Sequence, residues 1–188
     1  MTVILGVTYP DVFAAIGVGS GYQYKSATTI TEAAAQGLGR LGPGPDPVQQ
    51  GHIAYQAMGP YARRVPTIVF HGTADIVVPE IHGQEATISM VVANSLADPS
   101  FTNTNFDSPN SNVTMKAPVL DGYTYSAASW NDVNGKPVVQ FYRIYDMKHA
   151  WSGGGPPLVN GADIFPDPRG PSFTDIVYKF FLDNPKSA

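Results

Sequence analysis

The sequence predicts an α/β protein: a mostly parallel sheet with flanking helices, three layers (αβα) in one domain. Three observations carry that expectation. Short apolar or β-branched runs at Ala14 to Val18, Thr67 to Phe70 and Val138 to Tyr145 alternate with segments of helical periodicity. Two of those runs lead into loops that hold one acid, Asp75, and one histidine, His149. Glycine (19) and proline (17) are frequent in the 188 residues, which suits many short elements and turns better than a helical bundle.

Taken in order, Met1 to Thr8 reads as the tail of a helix, stopped by Pro10 and with no cap before its apolar residues; a frayed first turn is the alternative. Ala14 to Val18 is small and apolar on every side, as in a strand covered on both faces. Thr31 to Ala35 starts a short helix, Leu41 to Pro47 is a linker, and Val48 to Met58 is a helix ended by Gly59-Pro60. After the Thr67 to Phe70 strand and the Asp75 loop, Ile81, Glu85, Ile88, Val92 and Leu96 form one stripe of a helix closed by Asp98-Pro99. A polar insert occupies residues 98–118, within which Ser100 to Asn112 is expected to be irregular, rich in Asn, Ser and Asp. Tyr123 to Ser126 and Val138 to Tyr145 are strands joined by a turn at Asn134-Gly135. Pro156 to Pro171 holds five prolines and reads as an extended loop. Ser172 caps a last helix, with Asp175 three residues on and Phe173, Ile176, Val177, Phe180 and Phe181 on one face.

Composition narrows the chemistry. A net charge of −4 gives no electrostatic reason to expect nucleic acid or an acidic membrane surface as partner, and no transmembrane run or signal peptide is visible. The absence of cysteine removes disulfides, a thiolate nucleophile and thiolate metal sites. The four histidines form no His-x-x-x-His pair, so neither a metal nor a cofactor is expected. The spacing Gly37-Leu38-Gly39-Arg40-Leu41-Gly42 has no strand leading into it and is not a phosphate loop.

Metal-free ester or amide hydrolysis needs a nucleophile, a base within hydrogen-bond reach of it, and an acid that orients the base. His149 is the candidate base, beside Gly153-Gly154-Gly155, and Asp75 the candidate acid, each just past a strand. The duller role for each is a turn or cap group. His71 rivals His149, but a histidine at a strand end before glycine more often fixes the turn and holds the acid loop. His52 and His82 are expected at the surface of helices. No serine sits in Gly-x-Ser-x-Gly; Ser20 follows a strand but has Val18 and Tyr22 at the glycine positions, and Ser152 is a weaker candidate still.

Thr8-Tyr9-Pro10-Asp11-Val12-Phe13-Ala14-Ala15, Val65 to Asp75 (VPTIVFHGTAD) and Met147 to Gly154 (MKHAWSGG) together resemble the polyhydroxybutyrate depolymerase and feruloyl esterase branch of the α/β-hydrolases. The resemblance covers nearly the whole chain and implies a carboxylic ester hydrolase without cofactor, acting on a small or polymeric ester. It implies Asp75 and His149 as acid and base of a serine triad. It further implies Trp151 on the acyl or aryl side of the cleft; from their places at strand ends, Ser20 and His71 are the other candidate substrate contacts. In that family the serine elbow lies just before the helix whose remnant is Met1 to Thr8. The expectation is therefore a partial α/β-hydrolase fold, the C-terminal portion, with its nucleophile upstream of Met1. An open sheet edge would then call for self-association or a complementing chain. The alternatives are a non-catalytic binding or structural remnant, and a small esterase using Ser20 or water activated by His149. The resemblance is compatible with secretion.

Overall fold

The computed structural model describes residues 1–37, 42–155 and 165–186. The elements run α1 (Thr2–Thr8), β1 (Ile16–Gly19), α2 (Ile30–Gly37), α3 (Pro47–Met58), β2 (Thr67–Gly72), α4 (Ile81–Ala97), β3 (Ser111–Lys116), β4 (Thr124–Asn131), β5 (Pro137–Ile144), β6 (Trp151–Ser152), β7 (Pro166–Asp167) and α5 (Phe173–Asp183). The main sheet has the order β1-β2-β5-β4-β3. Its β1–β2 and β2–β5 pairs are parallel, whereas β5–β4 and β4–β3 are antiparallel. The sheet is therefore mixed and not purely parallel, with flanking helices as expected.

Two local causes produce the antiparallel half. Gly135 takes φ 79° in the β4–β5 turn, as Asn-Gly predicts. Asp132 Oδ1 accepts the N–H groups of Asn134 and Lys136, which tightens that turn. The polar insert also supplies an edge strand of its own, β3, which begins at the end of the stretch expected to be irregular. All six β3 residues are exposed, so no apolar alternation marks the strand in the sequence.

β2 is buried at every position, because both faces of the sheet are covered there. Val69 points with Val139, Phe141 and Trp130 toward α1, α3 and α4, while Ile68 and Phe70 point toward Phe173, Val177 and Phe180 of α5. Asp46 caps α3 by accepting the N–H groups of Val48 and Gln49, with Pro47 in the first turn. Ser172 Oγ accepts the Asp175 N–H at the start of α5.

The buried face of α4 is not the stripe expected from its sequence. Leu96 is exposed, while Gly83, Thr87, Ser89 and Asn94 are buried with Ala86, Met90 and Val91. The cause is close helix packing: a Cβ on Gly51 of α3 would lie 2.6 Å from Val92 Cβ and 2.7 Å from the Ser89 carbonyl. Small residues are what that approach admits. Asn94 then ties α4 to the entry of β2, accepting the Val65 N–H (2.6 Å) and donating to the Val65 and Met90 carbonyls.

The segments 38–41 and 156–164 lie outside the described residues. They include most of the rejected Gly-x-Gly-x-x-Gly spacing and half of the proline-rich loop. The rest of that loop returns along the histidine segment, pairing β7 with β6 in parallel.

Candidate active site

β2 and β5 are neighbouring parallel strands, so the loops leaving their C-terminal ends emerge side by side. Main-chain bonds join the two loops. Thr73 N–H donates to the Ile144 carbonyl (2.9 Å), Ala74 N–H to the Met147 carbonyl (3.0 Å), and Asp146 N–H to Thr73 Oγ1 (3.0 Å). Gly72 makes the approach possible, because a Cβ there would sit 2.2 Å from the Met147 carbonyl oxygen.

The carboxylate of Asp75 is buried and fully used. Oδ1 accepts the N–H groups of Val77 (2.9 Å) and Val78 (2.8 Å). Oδ2 accepts Nδ1–H of His149 at 2.8 Å, across 74 residues of sequence. Burial alone would raise the acid's pKa. Hydrogen bonds from His71, the Val78 N–H and His149, with the attraction of His149, outweigh that and hold it down at about 2. Asp75 is therefore an anion throughout the physiological range. With Nδ1 so engaged, Nε2 of the partly exposed His149 is left as the proton acceptor.

His149 lines a cavity of about 180 Å³ with Ser20, Gly19, Phe70, Trp151, Ser152, Phe165 and Phe173. Trp151 is half exposed, anchored by an Nε1–H bond to Thr174 Oγ1 (3.1 Å) and edge-on to Phe173 (4.5 Å between centroids). Ser20 sits directly after β1 with φ 45°, in the left-handed region that serine adopts at a cost. Ser152 Oγ is buried and donates to the Pro171 carbonyl (2.7 Å), which commits it to the loop. Among the described residues no group of three or more His, Asp or Glu side chains is placed to hold a metal ion.

Of the residues predicted from sequence, His149, Trp151 and Ser20 meet at this cavity, with Asp75 behind His149. His71 does not. It is fully buried beneath the Asp75 loop, so the expectation of a substrate contact is corrected. His52 is exposed on α3. His82, expected at the surface, is fully buried: Glu85 Oε2 lies 3.0 Å from its Nδ1, the Gln36 carbonyl 3.3 Å from its Nε2, and Tyr22 packs on the ring. Glu85, on the same side of the helix, was the available signal for that pair. Phe70 and Phe173 escaped notice as cavity residues because aromatic side chains in strands and helices read first as core, and Phe165 because it lies in the proline-rich loop.

No family model matches the chain. Over 152 residues, 79% of its length, it is 29% identical to the poly(3-hydroxyalkanoate) depolymerase C of Paucimonas lemoignei. It spans 32% of that protein, about a third of its length. The similarity is that of a distant, depolymerase-like relationship.

Proposed function

We propose that this chain carries the acid–base pair of a serine-dependent carboxylic ester hydrolase of the polyester depolymerase type. The observation that carries the reading is the 2.8 Å bond between a buried carboxylate and a partly exposed imidazole at the ends of adjacent parallel strands, with the ring on a cavity wall. The distant similarity to a depolymerase supports a hydrolase in general terms.

In this mechanism Asp75 holds His149 in the tautomer with the proton on Nδ1 and stabilises the imidazolium that forms. His149 Nε2 takes the proton of an attacking serine hydroxyl, then returns it to the leaving alkoxide. A water molecule next attacks the acyl-serine, with the same nitrogen as base. Trp151 and Phe165 form the apolar wall for the acyl or aryl part of the ester.

The sequence contains no Gly-x-Ser-x-Gly, and Ser152 is committed to Pro171. We propose that the attacking serine lies on polypeptide outside these 188 residues. A second reading assigns it to Ser20, on the strength of its left-handed backbone and its place on the same cavity wall. Treatment of the purified chain with a serine-directed phosphonate, read by intact mass and peptide mapping, separates the two. No adduct is the result expected from the first reading. A stoichiometric adduct lost in Ser20→Ala would overturn it in favour of the second.

A further inference from the structure

We propose that His71 is a positioning residue, which holds the Asp75 carboxylate in line with His149 by fastening the loop from Asp75 to Val78. The inference rests on the hydrolase reading only for its consequence, since the geometry stands without it. His71 is the second-to-last residue of β2, at its end toward the site, and is fully buried. Its Nε2–H donates to the Val78 carbonyl at 2.8 Å, while Asp75 Oδ2 lies 3.5 Å from the same nitrogen. The loop is therefore closed twice, by the ring at the Val78 carbonyl and by the carboxylate at the Val77 and Val78 N–H groups.

The other side of the ring explains its precision. Nδ1 is buried without a partner among the described residues, and a Cβ on Gly83 would lie 2.4 Å from it and 2.8 Å from Cγ. The imidazole is thus a wedge between the backbone of α4 and the acid loop. Gly83 supplies the room, and only Nε2 has work to do. A buried proton on Nδ1 would face no acceptor, whereas one on Nε2 meets a carbonyl and a carboxylate. Without this donor the Val78 carbonyl is released, and the two N–H groups that orient Oδ1 move with it. Oδ2 then loses its alignment on His149 Nδ1 even though neither residue of the pair has changed.

The test uses the 188-residue chain and needs no turnover, so its failure is separate from failure of the hydrolase reading. Long-range ¹H–¹⁵N correlation on the wild-type protein should find His71 as the Nε2–H tautomer and His149 with its proton on Nδ1. The His149 Nδ1–H resonance, far downfield of the amides, should broaden or move upfield in His71→Leu. It should return in His71→Gln, whose amide places a donor at similar reach. Two results overturn the proposal: an Nδ1–H tautomer for His71, or a folded His71→Leu with the His149 resonance unchanged. Should His71→Leu fail to fold, the tautomer of the wild-type ring decides by itself.

Discussion

Asp75 is held ionised by its surroundings, and that has a thermodynamic consequence with a definite sign. Its folded pKa of about 2 lies below the unfolded value of about 3.9. The carboxylate therefore contributes stability that is complete above about pH 4 and is lost as pH falls through about 2. The size is roughly 2–3 kcal/mol. Urea unfolding of wild type and Asp75→Asn at pH 5.5, 4 and 2.5 should show a stability gap that shrinks toward acid. A gap that stays constant would mean the carboxylate is not specially stabilised in the fold. Gly72 is the other decisive residue, because the atoms a Cβ would strike are the main chain of Met147 and Lys148. Gly72→Ala should cost at least about 3 kcal/mol, at the severe end for added volume, and should displace the His149 loop. A variant with an unchanged melting temperature would contradict the close apposition of the two loops. Asp75 and His149 were readable as a candidate pair because strand ends are where α/β sheets present side chains. The burial of His82 was not readable, since it depends on what packs over α4.

Among the elements, α4 shows where hydrophobic patterning stops being informative. An apolar stripe predicts a helix with one face on the core, yet this helix lies between α3 and the sheet and buries small and polar side chains as well. Asn94 is buried because it substitutes for a missing strand neighbour, satisfying both the N–H and the carbonyl of Val65. Asn94→Ala should therefore destabilise by about 2 kcal/mol, more than a surface amide would, since it strands the buried Val65 N–H while Thr67 Oγ1 still donates to the Val65 carbonyl. Chemical denaturation would check this, and a cost below about 1 kcal/mol would show that Val65 finds other partners. The position of β3 was equally hidden, as its pairing with β4 is written in backbone bonds and not in alternating burial. The turn at Asn134-Gly135, by contrast, was legible from two residues, because φ > 0 at Gly135 is a local demand.

At the scale of the whole molecule, the parallel half of the sheet ends abruptly at β1. Ile16 and Ser20 donate their N–H groups to the Pro66 and Phe70 carbonyls of the β2 segment, so by strand alternation those of Gly17 and Gly19 face away from the sheet. Exposed Met1, Ile4, Tyr9 and Val12 lie on the neighbouring segments. We propose that this edge is covered, by a second copy or by a complementing chain. Sedimentation equilibrium of the isolated 188-residue chain should then show concentration-dependent association, and an ideal monomer at high concentration would contradict self-association. The fold class followed from the order of strand and helix patterns. The antiparallel β4–β5 pair followed from the Asn134-Gly135 turn, but the outer strand β3 did not, since its six exposed residues leave little trace in composition.

We propose that Asp75 and His149 work together as the acid–base pair of an ester hydrolase. The measurement is p-nitrophenyl butyrate hydrolysis by this chain joined to polypeptide that supplies the attacking serine, in wild-type and His149→Ala forms of equal stability. The expected result is serine-dependent turnover that falls by at least about 10³-fold in the variant, as loss of a triad base requires. Turnover undiminished by His149→Ala would mean that His149 is not the catalytic base.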